Sequence, residues 1–203
     1  MAEKGILLVV SGFSGAGKGT LLKALLEKYD SYALSISATT RAPRAGEQEG
    51  REYFFKTREE FEAMIQAGEL VEYASYVGNY YGTPRAYVEE QLSLGRDVIL
   101  EIEIQGALKI KEHFPDSVLL FLSPPSAKEL RRRLEGRGTE SREVVESRMT
   151  RAREEAVGIE EYDYFVVNDE IHACAEQVHG IMQSEHARAF RSQALIEKIR
   201  SGL

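Results

Sequence analysis

Two hydrophobic regimes alternate along this chain: short apolar runs of strand length, and longer stretches in which apolar and charged residues recur with a helical period. The runs Gly5–Ser11, Ala33–Ser37, Asp97–Ile102, Ser117–Leu122 and Tyr164–Val167 predict strands. With helix-like stretches between them, the pattern predicts an α/β fold, a largely parallel sheet flanked by helices. Thr57-Arg-Glu-Glu60 and Ser126-Ala-Lys-Glu129 have the spacing of capping boxes. Thr83-Pro84 reads as an N-cap followed by proline at the first helical position, and Gly95 would end that helix. The stretch from His172 to Ile199 reads mostly as helix laid over the sheet.

Two regions break the alternation. Residues 38–89 hold short strands around a Val77-Gly-Asn-Tyr80 hairpin turn and predict a small mixed-strand lobe. Residues 126–157 are rich in arginine and predict a helical lid, with Gly136 and Gly138 either side of Arg137 as bending points. The remaining segments, 1–37, 90–125 and 158–203, would form the core of a single domain.

The most informative stretch is Gly12-Phe-Ser14-Gly15-Ala16-Gly17-Lys18-Gly19-Thr20, directly behind the first apolar run and directly before Leu21-Leu-Lys-Ala-Leu-Leu. Strand, glycine-rich turn and helix in that order form the context of a phosphate-binding loop. Glycines let the backbone N–H groups turn inward on an anion, the helix start adds positive potential, and Lys18 supplies a full charge. A flexible turn that merely caps a helix is the plain alternative. Gly19 stands where such loops usually carry the serine or threonine that ligates Mg²⁺, so the metal is expected to depend mainly on phosphate oxygens and water, with Thr20 one candidate and the direct ligands left open.

Composition narrows the class. The 203 residues suffice for one sizeable core, and an apolar share of 43% with 29% charged is ordinary for a globular protein. A formal charge of −7 disfavours general binding to nucleic acid or anionic membrane, and no apolar run approaches a membrane span. Met1-Ala-Glu-Lys4 leads straight into the first strand without room for a cleavable leader, and Cys174 is the sole cysteine, so a reducing cytoplasmic setting is expected.

Arg41 and Arg44 lie three apart in a loop with Pro43 and Gly46, and Tyr53 follows. Guanidinium forks and a phenol hydroxyl could grip a second phosphate, although a solvated polar loop would look similar. Glu101 and Glu103 follow an apolar strand two residues apart, at the strand end where ligands of open parallel sheets bind.

The phosphate loop, Ser35-x-Ser37-x-Thr-Thr-Arg41-x-Pro-Arg44-x-Gly-Glu47, Gly78-Asn-Tyr-Tyr81-Gly-Thr83 and Glu101-Ile-Glu103-x-Gln-Gly106 occur in one order, followed by Leu134-Glu-Gly-Arg137-Gly, Arg148-Met and Tyr162-Asp-Tyr-Phe-Val-Val-Asn168-Asp. Over essentially its whole length the chain resembles the guanylate kinases. That resemblance implies a P-loop NTPase-like core and transfer of the γ-phosphoryl group of ATP to GMP, with dGMP a further possible acceptor. It assigns Gly12, Ser14, Gly15, Ala16, Gly17, Lys18, Gly19 and Thr20 to ATP, together with Arg133 and Asn168. It assigns Arg41, Arg44, Tyr53 and Tyr81 to the GMP phosphate, Ser37, Glu72 and Thr83 to guanine, and Glu101 and Glu103 to the same substrate. Lys18, Arg44, Arg137 and Arg148 would act on the transferring phosphate. Many relatives have aspartate at both 101 and 103, so the longer glutamates blur their division of labour. Arg131, Arg132, Arg142, Arg151 and Arg153 read as a solvated helical face. Two rivals are a guanylate-kinase-like module that binds phosphorylated peptides and a kinase of another small phosphate ester.

Overall fold

The computed structural model describes residues 4–76, 78–136 and 142–203. Through the first half the chain runs β1 (Leu7–Gly12), α1 (Lys18–Lys28), β2 (Tyr32–Leu34), β3 (Ala38–Thr39), β4 (Phe54–Phe55), α2 (Arg58–Gln66), β5 (Leu70–Tyr76), β6 (Asn79–Pro84) and α3 (Arg85–Ser93). It continues with β7 (Asp97–Glu101), α4 (Ile104–His113), β8 (Val118–Ser123), α5 (Ala127–Glu135) and α6 (Arg142–Glu155). A 3-10 turn at Ala156–Glu161 leads to β9 (Tyr164–Val167) and α7 (Ile171–His186); a second at Ala189–Ser192 leads to α8 (Gln193–Gly202).

Five of these strands make a sheet in the order β2-β7-β1-β8-β9, all neighbours parallel. Central β1 is covered on both faces, which is why its sequence is continuously apolar instead of alternating. Its period of two divides the core: Leu8 and Val10 pack with Leu120, Leu122 and the buried sides of α1 and α7. Leu7 and Val9 face the other way, onto Val98, Leu100, Leu119, α3 and α4. At the amino end of β7 the buried Asp97 accepts hydrogen bonds from the Ile6 backbone N–H at 2.8 Å and from His186 Nε2 at 2.8 Å. One carboxylate thereby ties β7 to the start of β1 and to the end of α7.

A second, mixed sheet has the order β4-β3-β6-β5. Its own small core is Ala38, Phe61 and Leu70, with Tyr80 stacked on Phe61 at 5.2 Å between ring centroids. Thr57 completes the expected capping box with Glu60 at the start of α2. Helices α5 and α6 form a third cluster through Leu130, Leu134, Val145, Met149 and Ala152, against which Phe13 packs.

Local expectations shifted at three places. The strand read at residues 33–37 spans 32–34, because Ser35–Ser37 leave the edge of the parallel sheet to enter β3. Pro84 holds the cap position of α3, while Thr83 lies buried inside β6 with its hydroxyl engaged elsewhere; strand pairing takes precedence over capping. The long C-terminal helix is interrupted after His186, where the chain turns through Ala189–Ser192.

Candidate active site

The phosphate loop leaves the carboxyl end of β1 and enters α1. At Gly12 a Cβ would sit 2.3 Å from the Leu122 carbonyl oxygen, so the chain turns out of the sheet only without a side chain there. Gly17 caps α1 at φ 93°, a left-handed conformation that favours glycine. Lys18 is the first residue of α1, and its Nζ folds back to the carbonyl oxygens of Gly12 at 2.7 Å and Phe13 at 3.4 Å. The ammonium is thus held across the loop. Gly15 lies against Leu130 and Leu134, whereas Ser14, Gly19 and Thr20 are exposed.

Distant parts of the chain brace this loop. Asn168, buried at the end of β9, donates its Nδ2 to the Ala16 carbonyl at 2.8 Å and its backbone N–H to Ser123 O at 2.8 Å. Arg133 reaches the same Ala16 carbonyl at 3.3 Å and the Asn168 carbonyl at 2.9 Å, while Glu129 holds its Nε at 2.8 Å. Both residues that the resemblance assigns to ATP are thus engaged on the backbone of the phosphate loop. Arg148 of α6 donates to Ser14 Oγ at 3.1 Å, which brings that predicted phosphate-binding arginine to the loop mouth. Arg137 lies outside the described residues.

The mixed sheet gathers a second set. Arg41 makes a two-pronged contact with Glu47, at 2.9 and 3.0 Å, and lies 5.3 Å from the centre of the Tyr53 ring. Tyr81 meets Tyr53 edge to face with centroids 6.0 Å apart. Glu47 also accepts the Arg44 backbone N–H at 2.7 Å, while Arg44 itself is exposed. The guanidinium of Arg41 and that N–H hold the Glu47 carboxyl below the usual carboxylate range. Glu72 and Thr83 face each other across β5 and β6, and the Thr83 hydroxyl donates to Glu72 Oε1 at 2.8 Å. Burial pushes the Glu72 carboxyl above its ordinary value, and the Thr83 hydrogen bond partly offsets this. Ser37 is half-buried between β2 and β3, and its carbonyl accepts the Phe54 N–H at 2.9 Å.

Glu101 and Glu103 part company. Glu101 ends β7, exposed and in register with Val10 of β1. Glu103 caps α4 and pairs with Arg151 of α6 at 2.6 Å. Arg151 is exposed, as expected of a solvated helical face, and its pairing with the exposed Glu103 spans 48 positions, so no local pattern announces the contact. Sequence reasoning gave Glu47 no separate role, although a carboxylate six residues beyond Arg41 in a short loop was the available signal.

A glycine-rich loop that follows the central strand of a parallel sheet, a lysine at the start of the next helix and an arginine–tyrosine cluster on a separate small sheet together define a P-loop protein of the nucleotide-phosphotransferring class. The sequence profile of guanylate kinase matches residues 4–185. A guanylate kinase of Streptococcus thermophilus (strain CNRZ 1066) is 54% identical over 192 residues, 94% of this chain and 92% of that protein. One of Halalkalibacterium halodurans is 54% identical over 196 residues, 97% and 95% of the two chains. The crystal structure of guanylate kinase from Anaplasma phagocytophilum superposes with a TM-score of 0.72 at 36% identity, covering 94% of this chain and 90% of that one. The chain belongs to the guanylate kinase family.

Proposed function

We infer that this chain transfers the γ-phosphoryl group of ATP to GMP, yielding ADP and GDP. The observation that carries the reading is the pairing, in one small sheet, of a half-buried carboxylate (Glu72, bonded to the buried Thr83) and an arginine–tyrosine cluster (Arg41, Tyr53, Tyr81). A carboxylate accepts from both the ring N–H and the exocyclic amine of guanine, a donor pair that adenine lacks on that edge. A pocket built around those bonds rejects the wrong base because its buried acceptor would be left unpaired.

Lys18 and Arg148 serve the donor phosphates, and Arg41, Arg44, Tyr53 and Tyr81 the acceptor phosphate. Ser37 and Thr83 complete the guanine pocket, with Glu101 and Glu103 beside it. Arg133 and Asn168 act on ATP through the loop they brace. The acceptor is already an ionised phosphate oxygen, so the chemistry rests on alignment and charge neutralisation and needs no strong base. Mg²⁺ fits the donor set, since Thr20 in the first turn of α1 and Glu101 at the end of β7 offer hard oxygens; when bound, the ion neutralises phosphate charge. The lobe 38–89 and the lid 126–157 close over the core to exclude water. No helix among the described residues is long and apolar enough to cross a membrane, in keeping with a cytoplasmic role in purine nucleotide recycling.

The test is turnover with ATP, Mg²⁺ and a panel of nucleoside monophosphates. GMP should be strongly preferred, and Lys18→Met should abolish turnover in a protein that remains folded. Equal use of AMP or CMP, or an active Lys18→Met variant, contradicts the reading.

A further inference from the structure

Along β1 the side chains alternate between the two faces of the sheet, and Leu7 and Val9 occupy the face that packs on α3 and α4. Period two puts residue 11 on that same apolar face, yet it is a serine, and it is fully buried. A buried hydroxyl costs free energy unless it is hydrogen-bonded. Ser11 Oγ donates to the Ile102 carbonyl at 2.7 Å, across 91 positions of the chain.

Both ends of that bond stand next to residues of the cleft. Ser11 directly precedes Gly12, whose carbonyl holds the Lys18 ammonium at 2.7 Å. Ile102 lies between Glu101 at the end of β7 and Glu103 just before α4. Two consecutive residues of β1 therefore hold the lysine on one side and the turn that carries both acids on the other. Val10 and Glu101 are the last residues in register between β1 and β7, so the hydroxyl extends the tie past the point where strand pairing stops. The backbone contact beside it, from the Ile102 N–H to the Val10 carbonyl, is longer at 3.3 Å. The Tyr162 hydroxyl is buried beside Ser11 but completes no hydrogen bond with it.

A tie of this kind bears on alignment more than on binding. Reacting groups displaced by about 1 Å can lose on the order of 100-fold in rate, even when the change lies away from the chemistry. With ATP-to-GMP transfer as the reaction, we propose that Ser11 is a positioning residue: its hydroxyl fixes the turn carrying Glu101 and Glu103 relative to Lys18 and the phosphate loop. This role rests on that functional reading, and it belongs to a buried side chain that acts through others and touches neither nucleotide.

Ser11→Ala and Ser11→Cys, the second with a thiol that donates only weakly, test this by steady-state kinetics on the folded protein. Each should lower kcat for GMP about tenfold and leave KM for ATP and GMP within about twofold. A merely structural serine would lower Tm and leave kcat per folded molecule unchanged. Tyr162→Phe removes the neighbouring hydroxyl but keeps the Ser11–Ile102 bond, and should stay within about twofold of wild type in both parameters. In a Glu101→Gln/Glu103→Gln background, Ser11→Ala should cost less than about twofold in kcat, because the carboxylates it positions are gone. Wild-type kcat in both Ser11 variants, an undiminished loss in the glutamine background, or an equal loss in Tyr162→Phe overturns the proposal. A wild type inactive toward GMP removes the functional reading and this role with it. A GMP-active wild type with unchanged Ser11 variants removes this role alone.

Discussion

The Thr83 hydroxyl donates to Glu72 Oε1 at 2.8 Å across the β5–β6 pair, in a place where burial alone would favour a neutral carboxyl. One oxygen of the proposed guanine reader is thus positioned by its cross-strand neighbour before any base arrives. Replacing the acid by its amide, Glu72→Gln, turns one acceptor into a donor aimed at guanine donors. Hydrogen bonds to charged groups are worth about 1.5–3 kcal/mol, so kcat/KM for GMP should fall roughly 10- to 100-fold. KM for ATP should barely change. Steady-state kinetics with each nucleotide varied would expose the opposite pattern.

The same pair governs pH dependence. Glu72 is raised by burial, so the native state binds this proton more readily than the unfolded chain does. In the ligand-free protein its contribution to stability is greatest below the ordinary glutamate pKa of about 4.3 and is lost as pH rises through the folded value. If Glu72 reads guanine as proposed, GMP binding has the reverse sense, since guanine donors need the ionised acid; affinity should fall as pH drops below the folded pKa. Thr83→Val removes the offsetting donor and should move that acid limb to higher pH. Calorimetric titration of both proteins across pH 4–8 (about the span of a raised carboxyl) checks this, and superimposable curves would count against it.

Glu47 is expected to tune the acceptor-phosphate site without touching the reaction. It orients Arg41 through two contacts and takes the Arg44 N–H. Glu47→Gln should raise KM for GMP several-fold and change kcat far less, because it would loosen Arg41, the arginine proposed to bind the acceptor phosphate. A fall in kcat at unchanged KM would place Glu47 elsewhere in the mechanism.

Asn168 should behave as a brace of the phosphate loop. Asn168→Ala takes the closer of two donors from the Ala16 carbonyl, and Asn168→Asp sets a carboxylate against it. Loss of a buried hydrogen bond of this kind costs about 1–3 kcal/mol. Weaker ATP binding is expected in both variants and should be greater in Asn168→Asp. If the side chain instead served the adenine base alone, swapping ATP for another purine triphosphate would erase the difference between wild type and Asn168→Ala.

Stability should depend on a pair remote from the cleft. Asp97→Ala would strip the Ile6 N–H and His186 of their shared buried acceptor, at about 2–4 kcal/mol by urea denaturation. The folded fraction should retain its KM for both nucleotides. A variant as stable as the wild type would show that Asp97 is not what anchors the start of β1.

The sequence by itself determined whatever depends on contiguous residues. Strands β1, β7, β8 and β9, the phosphate loop and the Thr57 capping box are local: glycines at 12 and 17, Lys18 at the helix start and Glu60 three residues past Thr57 suffice whatever the rest of the chain does. The family motifs were equally legible, because they recur in a fixed order. Only the tertiary structure decided which of those residues meet. Glu72 finds Thr83 because β5 and β6 pair antiparallel with a register shift between Leu70 and Glu72, and a slip of one residue would turn the carboxylate to the other face. Asn168 reaches Ala16 across 152 positions, and Arg151 reaches Glu103 across 48. Contacts of this kind follow from register and packing between distant segments, which a linear pattern of polar and apolar residues does not encode.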